Sequence, residues 1–155
     1  MKINSKNQIL FLFTICLLSL GMQSESFESE VSLLVHKTPT CGCCKMWIKH
    51  LDGNGFIASV EDHSSLQEIK VKYDIKPEYR SCHTGVSKDG YIFEGHIPSK
   101  YINQFLSEDH PNAIGLSVPG MPLGSPGMEV SGVEAELFEV LAFNHDGTTS
   151  VFARY

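Results

Sequence analysis

An α/β fold, with its chemistry at the first strand-to-helix turn, is what this 155-residue sequence predicts. Three observations lead there. Apolar runs of strand length alternate with amphipathic runs of helix length. Gly, Pro, Asn and Asp punctuate the boundaries between them. Three of the five cysteines fall within Cys41-Gly42-Cys43-Cys44, on the turn after the first apolar run.

Val31–Lys37 (VSLLVHK) is β-branched and apolar, and predicts a buried strand that Thr38-Pro39-Thr40 breaks. Cys44–Leu51 places Trp47 and Leu51 one helical turn apart, so an amphipathic helix follows, with Met46 expected to pack. Gly53-Asn54-Gly55 ends it with residues that tolerate positive φ. Phe56–Val60 predicts a second strand. Ser64–Tyr73 predicts a second helix, with Ser64 or Ser65 as its cap and Glu68 in capping-box position. Ser81–Val86 and Tyr91–Glu94 predict two strands joined at Asp89-Gly90. Pro98–Leu106 predicts a third helix with proline near its first turn. Ile114–Val130 is rich in Gly and Pro and has neither period, so it predicts a loop. Leu137–Phe143 and Thr148–Ala153 flank Asp146-Gly147 as a closing hairpin. The order is β-α-β-α-β-β-α, then a Gly/Pro/Met loop and a β-hairpin extension. Its first seven elements match a thioredoxin-like fold, in which a C-x-x-C stands where Cys41–Cys44 stand here.

The segment before residue 31 is set apart from this domain. Lys2 and Lys6 precede an apolar run, Ile9–Leu20, with Ser19 and Gly21 as small residues behind it. That is the pattern of a secretory signal peptide over residues 1–21. Twelve apolar residues are too few for a membrane span, which takes about 20. Residues 22–30 are polar and expected to be a flexible tail, and residues 31–155 form the domain. Cys16 lies inside the apolar run and leaves with the signal. Removing Lys2 and Lys6 takes the net charge from −6 to −8. An acidic chain without a basic stripe excludes a nucleic-acid binder. Hydrophobic residues at 42% and charged residues at 19% describe an ordinary globular chain. Export places the chain in an oxidising compartment, which permits disulfides, yet clustered cysteines brace little chain. The cluster therefore reads as chemistry.

Cys41 and Cys44 form a C-x-x-C at a helix N-terminus, where unpaired N–H groups and the helix dipole stabilise a thiolate. A thiolate is both a nucleophile and a soft-metal ligand, so the motif alone leaves both roles open. Cys43 weighs toward metal. A dithiol exchange needs two sulfurs and a third invites mispairing, whereas a metal gains a donor. Thiolates and thioethers favour Cu(I), zinc and iron–sulfur clusters. Cys82-His83 stands where a thioredoxin-like fold faces its C-x-x-C, usually with a cis-proline, and no proline occurs from Glu78 to Ile97. Cys82 and His83 are thus candidate ligands, the alternatives being a buried thiol and a surface imidazole. Met121 and Met128 sit in the proline-framed turns Pro119-Gly120-Met121-Pro122 and Pro126-Gly127-Met128, as thioether donors or as core filler. His96 lies at a strand-to-helix turn within reach of a site. His36 closes the first strand. His50, His63, His110 and His145 look like solvated surface residues.

HKTPTCGCCKMW (36–47), SCHTGV (81–86), GYIFEGHIP (90–98) and GLSVPGMPLGSPGMEV (115–130) closely resemble the CopG-like copper-resistance family, from about Val31 to Tyr155. The resemblance implies a periplasmic, thioredoxin-like protein of copper homeostasis that binds copper, as Cu(I) or Cu(II), through Cys41, Cys43, Cys44 and Cys82. By position, Met121 and Met128 match its methionine loop, and His83 and His96 its histidines. On the metal-binding reading the partners are a metal ion and a copper-efflux or copper-transfer protein that receives it; the acidic charge and the short apolar run predict no nucleic acid and no stable membrane insertion. Two other readings stay open. One is a thiol-disulfide or copper oxidoreductase, with Cys41 attacking and Cys44 resolving. The other is a zinc domain, disfavoured because zinc knuckles pair two separated C-x-x-C units.

Overall fold

The structure is a computed structural model that describes residues 31–155. The expected signal peptide, the tail and Cys16 lie outside the described residues. The element order is β1 (Val31–Lys37), α1 (Gly42–Asp52), β2 (Phe56–Asp62), α2 (Gln67–Lys72), a 3-10 turn (Pro77–Tyr79), β3 (His83–Ser87), β4 (Ile92–Glu94), α3 (Ser99–Ser107), β5 (Ala113–Ser117), β6 (Glu139–Asn144) and β7 (Thr149–Arg154). The strands form one mixed α/β sheet in the order β2-β1-β3-β4-β5-β6-β7. β1 and β2 run parallel across α1, and β4 and β5 parallel across α3. The remaining pairs are antiparallel.

Alternation along β1 divides the molecule. Leu33 and Val35 face α1 and α3, where Trp47, Leu51, Phe93, Ile102 and Phe105 complete the larger core. Trp47 is fully buried, and its indole N–H donates to the Ile97 carbonyl at 2.9 Å. Truncating it to alanine removes both, at a cost of about 3–5 kcal/mol. Leu34 and His36 point to the opposite face, which α2 covers and where Ile75, Ile92 and Phe143 form a smaller core.

Several local expectations need correction. β5 occupies the start of the stretch expected to be a loop. Two strands claim it, β4 and β6, and this non-local pairing overrides its weak period. Gly115 is required there, because a Cβ would collide with the Ile92 backbone. α2 is shorter than expected and has no side-chain cap. Ser65 Oγ instead accepts the Gln67 N–H in a local turn. At the end of α1, Gly53 keeps a right-handed φ of −67° and the positive φ falls on Gly55. Met46 is 51% exposed rather than packed. Of the four histidines expected on the surface, only His145 is exposed. His110 stacks on Phe105, and His63 bonds to His36.

His50 links two helices. Its Nε2 accepts the Ser99 N–H at 3.0 Å, capping α3 from α1. Burial lowers the His50 pKa below the ordinary 6.5, against a smaller upward pull from Glu129. The folded state then binds fewer protons than the unfolded chain just below pH 6.5, so stability is full above that value and falls as pH drops. The melting temperature of the full chain is expected to fall between pH 7.5 and pH 5.5. His50→Ala should melt lower at pH 7.5 and show a shallower pH dependence, measured by circular dichroism.

Candidate metal centre

The cysteine motif sits where β1 turns into α1. Cys41 is the helix N-cap, its sulfur accepting the Cys44 N–H at 3.2 Å. Cys43 and Cys44 lie in the first turn, and Cys44 is fully buried while Cys41 and Cys43 are half-buried. Cys41 and Cys44 are joined by a disulfide; Cys43 and Cys82 are free thiols. Cys82 arrives from the segment entering β3. Its Sγ lies 3.8 Å from that of Cys43 and 3.5 Å from that of Cys44, and Cys43 Sγ is 3.5 Å from Cys41 Sγ. The four sulfurs all fall within 4.8 Å of one another. For metal–sulfur bonds of about 2.3 Å, ligands sharing one ion sit about 3.8–4.0 Å apart, so these separations fit shared metal coordination.

Two imidazoles reach the same sulfur. Cys82 Sγ is 3.1 Å from His96 Nε2 and 3.3 Å from His83 Nδ1. His96 is fully buried, and its Nδ1 donates to the Pro126 carbonyl at 2.8 Å. A carbonyl only accepts, so the proton sits on Nδ1 and the Nε2 lone pair aims at Cys82. A backbone acceptor behind a ligating histidine orients the ring in this way. His83 packs against the Trp47 ring at 4.2 Å and edge-on to His96 at 4.8 Å. Its Nε2 is buried without a partner. Burial lowers both imidazole pKa values, His83 well below its ordinary value, so both rings are neutral bases at neutral pH. Burial, and then the charge of Cys43, push the Cys82 thiol up to about 12. Two uncompensated thiolates side by side are costly in this volume, and a cation is the group that relieves that cost.

A buried ion pair holds Cys82 in place. Glu94 on β4 has no exposed surface, and its Oε1 takes the Lys70 ammonium at 2.5 Å and the Ser81 N–H at 2.6 Å. Its Oε2 accepts the Thr84 hydroxyl at 2.8 Å, and Lys70 also reaches Thr84 Oγ1. Burial raises the Glu94 carboxyl and lowers the Lys70 ammonium, while each charge pulls the other back. Neither residue is marked by a motif in the sequence. Only a lysine among apolar neighbours in a helix, and a glutamate ending a short apolar strand, hinted at them.

The methionine loop is pinned at two points. Ser81 Oγ donates to the Gly120 carbonyl at 2.5 Å, just before Met121. Gly127 lies against α1, where an added Cβ would stand 2.7 Å from Trp47 N and 2.8 Å from the Cys43 carbonyl. Its φ of +87° also favours glycine. Met121 is half exposed and Met128 half-buried, each next to one of these anchors.

The chain resembles two solved structures, described as copper resistance protein copG, form 1 and form 2. Each is 38% identical, covers 81% of this chain and 98% of its own, and superposes with a TM-score of 0.75. The family described as protein of unknown function, DUF411, matches residues 79–128, which hold Cys82, His83, His96, Met121 and Met128. Among curated proteins, none matches.

Removing the lysine alone leaves a buried carboxylate uncompensated. Lys70→Met is expected to cost about 3–5 kcal/mol, and adding Glu94→Gln should recover part of the loss while keeping an acceptor for Ser81. Urea denaturation of the three chains measures both effects.

Proposed function

The chain belongs to the CopG-like copper-resistance family, and from that premise we propose an exported protein that holds copper as Cu(I) on its cysteine cluster. Cys41, Cys43, Cys44 and Cys82 supply the sulfurs, and His96 and His83 supply neutral nitrogen donors. The observation that carries this reading is the His96 ring. Its proton is committed to the Pro126 carbonyl and its free nitrogen is 3.1 Å from a thiol beside three other sulfurs. Sulfur donors suit Cu(I) and zinc alike; the copper-resistance proteins this chain resembles are what favour Cu(I) here. Reducing the Cys41–Cys44 disulfide takes two electrons and two protons from a dithiol donor and yields two thiols, which with Cys43 and Cys82 make four at the site. Metal binding then displaces their protons.

The fold is read as thioredoxin-like through its first four strands. β1, α1 and β2 form the parallel unit, β3 and β4 add antiparallel strands, and the cysteine motif takes the β1–α1 turn. All peptide bonds among the described residues are trans, and Cys82 stands where that fold would carry a cis-proline. Met121 and Met128 are proposed as thioether donors that receive or release copper at the rim. Periplasmic location rests on the Lys2, Lys6 and Ile9–Leu20 pattern. A copper-efflux or copper-transfer protein is the proposed recipient of that copper. No helix among the described residues is long and apolar enough to cross a membrane.

The disulfide favours a second reading, a thiol oxidoreductase. Cys41 is the more accessible sulfur and would attack, with buried Cys44 resolving the mixed disulfide.

Anaerobic titration of reduced protein with Cu(I) against a competing chelator separates the two. Tight stoichiometric binding is expected, lost in Cys41→Ser and Cys44→Ser and weakened about tenfold or more in His96→Gln. Metal-free turnover of insulin disulfides, with copper uptake unchanged in those serine variants, would favour the oxidoreductase instead.

A further inference from the structure

We propose that His36, Glu61 and His63 form a second metal site, separate from the cysteines, for a borderline divalent ion such as Cu(II) or Zn(II). The register of the sheet builds it. β1 and β2 pair in parallel with His36 opposite Glu61, so both side chains leave the same face. One residue beyond β2, the His63 N–H donates to the Lys37 carbonyl at 2.9 Å, which extends the pairing and brings its ring alongside.

The three donors converge. His36 Nδ1 lies 2.9 Å from His63 Nε2 and 3.5 Å from Glu61 Oε2, and His63 Nε2 is 3.8 Å from Glu61 Oε1. Ligands about 2.0–2.1 Å from one ion stand about 2.9 Å apart at a right angle and about 3.3 Å apart in a tetrahedron. The observed spacings need only small side-chain adjustments to admit an ion between them. His36 is 3% exposed and fixed by its surroundings, whereas Glu61 is half exposed. The site therefore has a rigid inner ligand and an open outer side, where water can complete the coordination. Two imidazoles and one carboxylate, without sulfur, suit Cu(II) and Zn(II) rather than Cu(I).

Burial fixes where the proton sits on these rings when no metal is bound. His36 Nε2 is buried without a partner, so a proton there would be an unpaired donor. The proton sits on Nδ1 and is donated to His63 Nε2. An ion taking Nδ1 sends that proton to Nε2, at a cost that holds affinity about ten- to a hundredfold below that of a fully paired site. Lys70 and Lys72 face His36 from α2 and lower affinity further. A readily exchanged ion is expected rather than a permanently held one.

The test uses the full chain with the Cys41–Cys44 disulfide intact and Cys43 and Cys82 alkylated, which removes the thiol sites whatever their function. Aqueous Cu(II) is the probe, followed by electron paramagnetic resonance and competition with Zn(II). One equivalent should bind with hyperfine structure from two imidazole nitrogens. His63→Ala should weaken binding tenfold or more and remove one nitrogen from the pattern. Glu61→Gln, a change on an exposed side chain, should weaken binding without altering the nitrogen count. His145→Ala should change neither. Absence of a two-nitrogen signal at one equivalent, or equal affinity in His63→Ala and the parent chain, would overturn the proposal.

Discussion

Everything at the cysteine cluster depends on where the short segment Ser81–His83 enters the sheet, and one carboxylate without access to water decides that. Glu94 gathers the Lys70 ammonium, the Thr84 hydroxyl and the Ser81 N–H onto its two oxygens. The Ser81 contact fixes the backbone one residue before Cys82. The adjacent strand then seats His83 against Trp47, and the following turn seats His96 under Pro126. A hydrophobic pair of similar volume would stabilise the fold as well or better. It would leave the Ser81 N–H without an acceptor and Cys82 free to shift. The ion pair is best understood as positioning a thiol.

Much of this was legible in the sequence, for identifiable reasons. β1 carries a dense β-branched run, and it ends at Lys37 where the sequence places its end. The convergence of Cys82 on the motif followed from element order, because two antiparallel strands after a parallel unit return the chain beside β1. What escaped notice depended on partners distant in sequence. β5 has no period of its own and is a strand because β4 and β6 flank it. Two histidines assigned to solvent are held from other elements, His63 by the His36 ring of β1 and His50 by the Ser99 amide of α3. No local pattern announces such partners. Lys70 was unreadable for the same reason, since its carboxylate lies 24 residues away.

The two ligand sets differ in softness, and the pleat separates them in space. Sulfurs and the His96 ring gather at the N-terminus of α1, while His36, Glu61 and His63 occupy the α2 face of neighbouring strands. On the proposed reading, an exported copper-binding protein meets both oxidation states of the metal. A thiolate cluster retains the cuprous ion and imidazole–carboxylate sites accept the cupric one. The methionine loop, anchored at Gly120 and Gly127, borders only the first.

Copper K-edge X-ray absorption on the reduced, Cu(I)-loaded chain tests the central claim most directly. The geometry calls for a first shell dominated by sulfur near 2.3 Å, with a minority of imidazole scattering that disappears in a chain lacking His83 and His96. A shell of nitrogen and oxygen alone, or a spectrum unchanged when Cys82 becomes serine, would contradict it.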